Sequence, residues 1–314
     1  MDRSYDVLLQ GNPFCDLTFT FTDRESFPVL GQEVYAGNFA INPGGIFNIS
    51  SALTRLGLQV GMITQLGNDI FSRFIAERMG EHGISRDLTT WVDAALPVVT
   101  AGISFPHDRL FISYGPPTDG VPAAPRITEE DLDQYRPRVL FTHGEVQIDI
   151  CRAARRRDIL VYLDTNWNPE FLHSSRLREL LSEVDVFSPN RSEALEMTGA
   201  TNAEGALEML NGWCSCVAIK CGPGGALASS DGRIYCVPAI DVQAIETTGA
   251  GDNFNAGLIY GLLQGYSFER SLECATITGG LSTLAIGGSA GGYTAADVDR
   301  RTSMTTPGDG AIAD

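Results

Sequence analysis

The stretch ETTGAGDNFNAGL, Glu246–Leu258, decides the fold because it places small turn residues directly before an apolar helical pattern. A helix is predicted to begin near Gly249–Asp252, because apolar residues then recur at helical spacing: Ala256, Leu258, Ile259, Leu262 and Leu263. The start of a helix carries unpaired backbone N–H groups and a partial positive charge. Gly249, Ala250 and Gly251 would let a phosphoryl group approach those N–H groups closely. The stretch therefore predicts an anion hole.

Asp252 would stand beside this anion hole, where a carboxylate repels a bound phosphate. One interpretation is that it stabilises the dipole of the helix that it begins. The other is that it is a general base, which takes a proton from an attacking hydroxyl. The local sequence leaves both open. A dinucleotide fingerprint is excluded because no third glycine completes Gly249 and Gly251, and no phosphate-loop motif ending in Gly-Lys-Ser/Thr occurs.

Around this stretch, strand-like runs alternate with helical patterns. Strands are predicted at 5–11, 60–67, 139–144, 159–166, 184–190 and 215–222, and helices at 68–82, 148–158, 190–199 and 202–211. The strand runs are apolar on successive residues, as in strands that are covered on both faces. Thr128 and Asp131 resemble a capping box before a further helix. The pattern predicts an α/β fold with a doubly wound, mostly parallel sheet flanked by helices.

Two segments, about 14–41 and 97–116, break this rhythm because they show alternating strands and turns without a helix. We interpret them as a small β-sheet lid over the ligand edge of the main sheet, since long excursions usually carry function. The alternative is an ordinary edge hairpin. Residues 1–300 are expected to form one domain that includes the lid. Residues 301–314 are small and polar and are expected to form a flexible tail.

The net charge of −17 argues against nucleic-acid and anionic-membrane partners, because no overall positive field attracts phosphates. No apolar run is long enough to span a membrane. The chain has seven cysteines without a disulfide spacing, so a cytoplasmic location is expected. Cys214, Cys216 and Cys221 lie close in sequence, but without a nearby histidine or zinc spacing they are expected to be structural.

Two distant stretches in the same order resemble the signatures of the ribokinase-like (PfkB) carbohydrate kinase family. ETTGAGDNFNAGL resembles its C-terminal signature, and NPGGIFNISSALTRLGLQVGMITQLGND, residues 42–69, resembles its N-terminal one. Three segments between them are similar to further family segments: LDTNWNP at 163–169, SPNRSEALEMTG at 188–199 and AIKCGPGGAL at 218–227. The resemblance spans roughly residues 5–298. It implies a ribokinase-like fold and ATP-dependent phosphorylation of a hydroxymethyl group on a small sugar or sugar derivative.

The resemblance also implies roles for single residues. Asp252 would be the general base, and the backbone of Gly249, Ala250 and Gly251 would stabilise the transferred phosphoryl group. The implied sugar-binding residues are Asp16, Asn42, Gly44, Gly45 and Asn48. The implied ATP-binding residues are Asn190, Lys220, Gly222, Gly225, Thr248 and Gly279. Asn190 and Glu193 would hold Mg²⁺ through water, although their positions also fit a helix cap. Loop 285–289, with Glu246 and Thr248, would bind a monovalent cation such as K⁺, as in some relatives.

The chain departs from the family pattern at Glu246, Ile46 and Asn168, where the family usually has Asp, a small residue and Arg. These departures leave the substrate open. A nucleoside is the alternative to a sugar, and a phosphosugar is less favoured because the Gly-Gly loop has no lysine, although Arg109 in the lid would allow it. A non-catalytic sugar or nucleotide sensor is a further alternative, which the intact Gly-Ala-Gly-Asp sequence disfavours.

Three remaining features have open interpretations. His143 and Glu145 follow a strand, so they would either contact the substrate or fill core and capping positions. His107 in the lid is expected to be solvated. The lid strands offer free edges, which would allow a homodimer to form through the lid.

Overall fold

The structure is a computed structural model that describes residues 5–21, 30–105, 109–143 and 147–305. His107, Glu145 and parts of the expected lid and tail, residues 22–29, 106–108 and 306–314, lie outside these ranges. Over the ranges described, no helix combines the length and the apolar character that crossing a bilayer requires.

The strands of the described chain form two separate sheets. In chain order they are β1 (Val7–Gln10), β2 (Pro13–Thr20), β3 (Asn38–Gly45), β4 (Val60–Leu66), β5 (Thr89–Trp91), β6 (Val99–Ser104), β7 (Arg109–Tyr114), β8 (Val139–His143), β9 (Leu160–Asp164), β10 (Val186–Phe187), β11 (Cys216–Lys220), β12 (Ala226–Ser230) and β13 (Arg233–Val237). The large sheet has nine strands in the order β13-β12-β11-β10-β9-β8-β1-β4-β5, and the small sheet has four in the order β3-β2-β6-β7.

Helices cover both faces of the large sheet. They are α1 (Ile46–Arg55), α2 (Ile70–Glu81), α3 (Glu129–Tyr135), α4 (Ile148–Arg155), α5 (Pro169–Leu172), α6 (Ser175–Leu181), α7 (Arg191–Thr198), α8 (Ala203–Leu210), α9 (Ala250–Leu263), α10 (Phe268–Ser282) and α11 (Ala295–Thr305). One apolar core lies between the sheet and α1, α2, α9, α10 and α11. The other lies between the opposite face and α3–α8. The predicted doubly wound α/β fold is confirmed.

The large sheet is parallel from β5 to β11, as the continuous apolar runs predict. Only β12 and β13 pair antiparallel, at one edge. The strand order reverses at the centre, where β1 lies between β4 and β8. In sheets of this type, ligands bind at the carboxyl ends of the strands beside such a reversal. The predicted capping box of Thr128 and Asp131 is also present, at the start of α3.

The small sheet is built from the two segments that were predicted to form a lid. In β2, Asp16 pairs with Asn42 of β3 on one side and with Thr100 of β6 on the other. β3 runs directly into α1, so the small sheet is tied to the helix that carries Asn48. At the other end of the chain, α11 extends to Thr305 and therefore includes the first part of the expected tail.

Helices α9 and α10 pack through two glycines of α9, Gly257 and Gly261, which are one helical turn apart. A Cβ atom at Gly261 would lie 2.6 Å from the Cα of Ser271, and one at Gly257 would lie 2.6 Å from the carbonyl oxygen of Cys274. The absence of both side chains lets the two helix backbones approach closely. This contact fixes the position of α9, whose first turn carries the predicted anion hole.

We expect Gly261→Ala to lower the free energy of unfolding by about 1–3 kcal/mol, since the added methyl group must push apart two helix backbones. Urea denaturation measures the change. The matched control is Gly80→Ala in α2, where an added Cβ meets no atom within 4 Å. This control should stabilise the protein by about 0.5–1 kcal/mol, as is usual for an unhindered helical position. Equal effects of the two variants would contradict the packing argument.

Candidate active site

The first turn of α9 forms at the predicted place, since the helix begins at Ala250 and Gly249 is its N-terminal cap. Gly249 has a φ of 74°, in the left-handed region that favours glycine. A Cβ atom at Gly249 would also lie 2.5 Å from the Cα of Gly288. No side chain caps this helix. The Ala250 N–H donates to the carbonyl oxygen of Thr247 at 3.2 Å, whereas the N–H groups of Gly251 and Asp252 have no partner among the described residues and are left to a ligand or water. The geometry is that of an anion hole.

Asn253 holds this turn against loop 287–289. Its Nδ2 donates to the carbonyl oxygens of Gly249, at 2.8 Å, and Gly288, at 2.9 Å. Arg55 of α1 donates to the carbonyl oxygen of Ser289 and, at 3.4 Å, to Oδ1 of Asn253. These bonds join α1, α9 and the loop into one unit. The role of Asn253 was not predicted, although it follows Asp252 directly.

Asp252 is partly exposed in the first turn of α9 and contacts α1. Asn48 Nδ2 donates to Asp252 Oδ2 at 3.3 Å. Burial, and then the nearby Asp164 carboxylate, raise the pKa of Asp252 to about 7, whereas Lys220 and the Asn48 hydrogen bond act against this rise. A carboxyl group with a pKa near neutrality can accept a proton and release it again at neutral pH.

A buried polar network lies behind Asp252. Lys220 Nζ forms an ion pair with Asp164 Oδ1 at 2.7 Å, and both side chains are almost fully buried. Asn255 Nδ2 donates to Asp164 Oδ2 at 2.6 Å, and Tyr162 OH donates to Asn255 Oδ1 at 3.0 Å. Lys220 Nζ also lies 3.6 Å from where a Cβ of Gly251 would be. Lys220 therefore lies beside the anion hole, but Asp164 neutralises much of its charge.

Sequence reasoning singled out Lys220 but not its partners. Asp164 ends a buried strand, and that position is the signal that could have identified it. Asn255 lies in the second turn of α9 and, in the sequence, stands among the apolar residues of the helical pattern.

Asn190 and Glu193 form a capping box at the start of α7. Asn190 Oδ1 accepts from the Glu193 N–H and Glu193 Oε2 accepts from the Asn190 N–H, each at 2.9 Å. Thr165 Oγ1 donates to the same Glu193 oxygen at 3.2 Å. Burial raises the pKa of Glu193, with a further contribution from Asp164. The helix cap, one of the two roles that the sequence allowed for Asn190 and Glu193, is thus present in the structure.

Protein groups alone do not surround a metal ion in this region. In the ranges that the structure covers, no three or more His, Cys, Asp and Glu side chains are arranged to hold a metal ion. The donor set instead fits Mg²⁺ that is bound mainly by nucleotide phosphates and water, with Glu193 as a distant carboxylate.

A cavity of about 360 Å³ lies between the small sheet, the start of α9 and loop 287–288. Asp16 and Asn42 of the lid face Thr248 and Gly249 across it. Further lining side chains come from the lid and from the segment before α9: Thr18, Thr100, Ser104, Phe111, Glu246 and Thr247. Of the five predicted sugar-binding residues, Asp16 and Asn42 line this cavity, whereas Gly44 packs against Asp16, Gly45 lines a neighbouring cavity and Asn48 contacts Asp252.

Two close contacts shape this cavity. Gly44 leaves room for the Asp16 carboxylate, which a Cβ at that position would strike. Gly287 N donates to Glu246 Oε2 at 2.6 Å, so the glutamate at this departure from the family pattern holds the loop. Burial, and then the negative charge of Glu246, raise the pKa of Asp16 to about 6. Two carboxylates thus face one cavity.

The predicted nucleotide residues are less tightly grouped. Thr248 lines the cavity with Asp16, on the sugar side of the anion hole. Gly222 begins a short 3₁₀ turn after β11, and its missing side chain faces open space. Gly225, in contrast, packs against the backbone of Val237 and Ala239, and Gly279 packs against Ala250 and Phe254 of α9. Close packing therefore accounts for glycine at positions 225 and 279 without a nucleotide.

The structure also places His143 and the cysteines, whose roles the sequence left open or predicted to be structural. His143 lines a smaller cavity of about 240 Å³ with Gln10, Asn12 and Ile46, at the carboxyl ends of β1 and β8. Burial lowers its pKa, so the neutral imidazole is favoured. The cysteines are all free thiols; Cys214 and Cys216 are buried, whereas Cys221, the third member of the predicted structural group, is partly exposed.

Comparison with known proteins identifies the family. The family model described as pfkB family carbohydrate kinase matches residues 16–294. The ATP-dependent 6-phosphofructokinase of Thermoanaerobacterium thermosaccharolyticum is 26% identical over 286 residues, which cover 87% of this chain and 86% of that protein.

Two solved structures share the fold. The ribokinase of Arabidopsis thaliana, complexed with ribose and ATP, superposes with a TM-score of 0.79 at 21% identity, over 95% of this chain and 99% of that one. The nucleoside kinase of Burkholderia thailandensis, in complex with inosine, superposes with a TM-score of 0.76 at 18% identity, over 95% and 98% of the two chains. The chain therefore belongs to the pfkB family and is an ATP-dependent carbohydrate kinase.

Proposed function

We propose that the enzyme transfers the terminal phosphoryl group of ATP to a hydroxymethyl group of a small neutral sugar or sugar derivative, with Asp252 as the general base. The observation that carries this proposal is the first turn of α9, where free backbone N–H groups and a carboxyl group with a pKa near 7 adjoin one polar cavity. The cavity would hold the acceptor sugar, and the turn would provide the anion hole for the phosphoryl group.

The proposed mechanism assigns each step to residues of this chain. The Asp16 carboxylate accepts hydrogen bonds from sugar hydroxyls, and the Asn42 amide both accepts and donates them. The buried Asn48 Oδ1 has no partner among the described residues and can accept a further hydrogen bond. Asp252 takes the proton of the attacking hydroxyl. The backbone N–H groups of Gly249, Ala250, Gly251 and Asp252 stabilise charge on the moving phosphoryl group. Mg²⁺, when bound with ATP, neutralises phosphate charge, and Glu193 would contact its water shell.

The charges of the cavity support a neutral acceptor. Asp16 and Glu246 both line it, and the lining residues that the structure describes include no lysine or arginine. A phosphate on the substrate would meet like charge there, which costs several kcal/mol. The side chain of Arg109, which would favour a phosphosugar, lies outside the described part of the chain.

A nucleoside is the second candidate. The Phe111 ring is 55% exposed and lines the cavity, where it could stack on a base. The shared fold with a nucleoside kinase is compatible with this candidate but does not select it.

We also propose that the small sheet acts as a lid. We treat residues 1–300 as one kinase domain whose small sheet closes over the acceptor and excludes water. The small sheet also exposes apolar side chains, Phe19 and Phe39 among them, which would suit a homodimer that pairs lid to lid. A monovalent cation at loop 285–289 remains a prediction; here Glu246 already accepts a hydrogen bond from that loop.

Asp252→Asn should lower kcat by about 10²–10⁴-fold, because the amide cannot accept the hydroxyl proton. ATP binding should stay nearly unchanged, as measured by calorimetry. The control is Asp149→Asn, an exposed aspartate in the first turn of α4 that shares only the helix-dipole role. Near-normal turnover of Asp252→Asn would disprove the base assignment.

The pH profile of kcat/KM should show an acid limb with an apparent pKa near 7. The pKa of Asp252 is raised, so the carboxyl group is protonated and unable to act as a base below that pH. The rate should fall about tenfold for each pH unit below the limb and reach a plateau above it. ATP affinity, measured over the same range, separates the base from effects on binding. An acid limb with an apparent pKa of about 4–5 would mean that a group other than Asp252 is the base.

An ADP-release assay with ribose, fructose, fructose 6-phosphate and adenosine tests the acceptor. The best neutral sugar should exceed fructose 6-phosphate in kcat/KM by about tenfold or more, because of the two carboxylates. Preference for adenosine would favour the second candidate. Preference for fructose 6-phosphate would overturn the charge argument but leave the role of Asp252 intact.

A further inference from the structure

A second polar cavity, of about 580 Å³, lies behind the anion hole, between α1, the end of α2 and residues 289–291. It shares no lining residue with the acceptor cavity. Its wall carries the side chains of Arg55, Arg78 and His82, together with the carboxylate of Glu81. In a chain with a net charge of −17, this convergence of basic side chains at one cavity is unexpected.

Two of the basic groups are held in place by protein contacts. Arg55 Nη2 donates to Ser51 Oγ at 3.2 Å, and its guanidinium carbon lies 4.9 Å from the centre of the Tyr293 ring. His82 Nδ1 lies 2.6 Å from the same Ser51 Oγ. Their positions are therefore fixed without a ligand, so little ordering entropy would oppose binding.

Arg78 is the adjustable group of the cavity. It pairs with Glu81 one turn further along α2, and its side chain is 33% exposed. Its Nε is buried and has no hydrogen-bond partner among the described residues. Such a surface ion pair is weak, so Arg78 can exchange Glu81 for a stronger acceptor.

Ser289 provides a second donor without a partner. The residue is 1% exposed and lines the cavity, and its Oγ makes no hydrogen bond within the described residues. A buried hydroxyl without a partner is costly, so a ligand or water that accepts its hydrogen bond would be favoured.

Two guanidinium groups and one carboxylate, that of Glu81, line the cavity, so its charged side chains have a net positive charge. Burial, and then the charges of Arg78 and Arg55, lower the pKa of His82, while Glu81 acts weakly in the opposite direction. Guanidinium groups, a hydroxyl and an imidazole together match the acceptor oxygens of a tetrahedral oxyanion.

We propose that the cavity lined by Arg55, Arg78, His82 and Ser289 binds a small dianionic oxyanion of the phosphate type. Arg78 would turn from Glu81 to the anion, a shift of residues 289–291 would expose Ser289 Oγ to it as a donor, and the His82 ring would take up a proton on binding and so supply a further charge. This site is separate from the anion hole of α9 and does not depend on the proposed catalytic role of Asp252. The ligand would be free inorganic phosphate or the phosphate group of a small metabolite.

The experiment follows the His82 ring by NMR while inorganic phosphate is added to the full chain saturated with Mg²⁺ and a non-hydrolysable ATP analogue, which blocks the anion hole. The His82→Gln spectrum assigns the signal. Bound phosphate should raise the pKa of His82, because a dianion stabilises the imidazolium. Parallel titrations with sulfate and glycerol 3-phosphate distinguish a free anion from a phosphate ester.

Arg78→Gln should weaken phosphate binding by about tenfold or more, since it removes a charge-assisted hydrogen bond. Arg78→Lys should restore part of the affinity. The control is Arg86→Gln, an exposed arginine outside the cavity, which should bind phosphate like the parent protein. An unshifted His82 signal in excess phosphate would overturn the proposal, and so would equal binding by the Arg78 and Arg86 variants.

Discussion

The site depends on the alignment of peptide N–H groups at the start of α9. The chain carries 39 acidic and 22 basic residues, so side chains cannot supply a general positive field for phosphate. Lys220, the basic side chain beside this turn, is paired with Asp164. Backbone dipoles at a fixed turn need no counterion and no reorganisation. In the proposed mechanism, the contacts of Asn253 and Arg55 therefore support catalysis by keeping that turn in place.

The buried network around Asp164 adds to the effect of burial in raising the pKa values of Asp252 and Glu193. The carboxylate is held by Lys220 and Asn255, and its remaining negative field reaches Asp252 and Glu193. Such a network is costly to build, because every member must find a partner. Together with burial it gives Asp252 a pKa near neutrality, and the negative charge of a bound phosphate would raise that pKa further.

The sequence allowed the fold to be predicted because the apolar runs and the helix-start signals are local properties. The start of α9, the parallel strands and the two lid segments were all predicted from such patterns. The pairing of Lys220 with Asp164 was not, since it joins residues 56 positions apart in the chain. The same holds for Gly225 and Gly279, whose glycine requirement comes from packing against distant backbone. The antiparallel edge strands β12 and β13 were missed because short hairpins have no distinctive period.

The contact between Gly249 and Gly288 has an evolutionary consequence. The two residues are 39 positions apart, yet a Cβ atom at Gly249 would lie 2.5 Å from the Cα of Gly288, and one at Gly288 would lie 2.7 Å from the Asn48 side chain. Gly249 also needs its left-handed conformation, so neither position accepts a larger residue without a shift of this turn. Any lineage that keeps this turn should therefore keep glycine at both positions. Diversification of acceptor preference should therefore proceed through the cavity-lining side chains of the lid sheet, such as Thr18, Thr100 and Phe111.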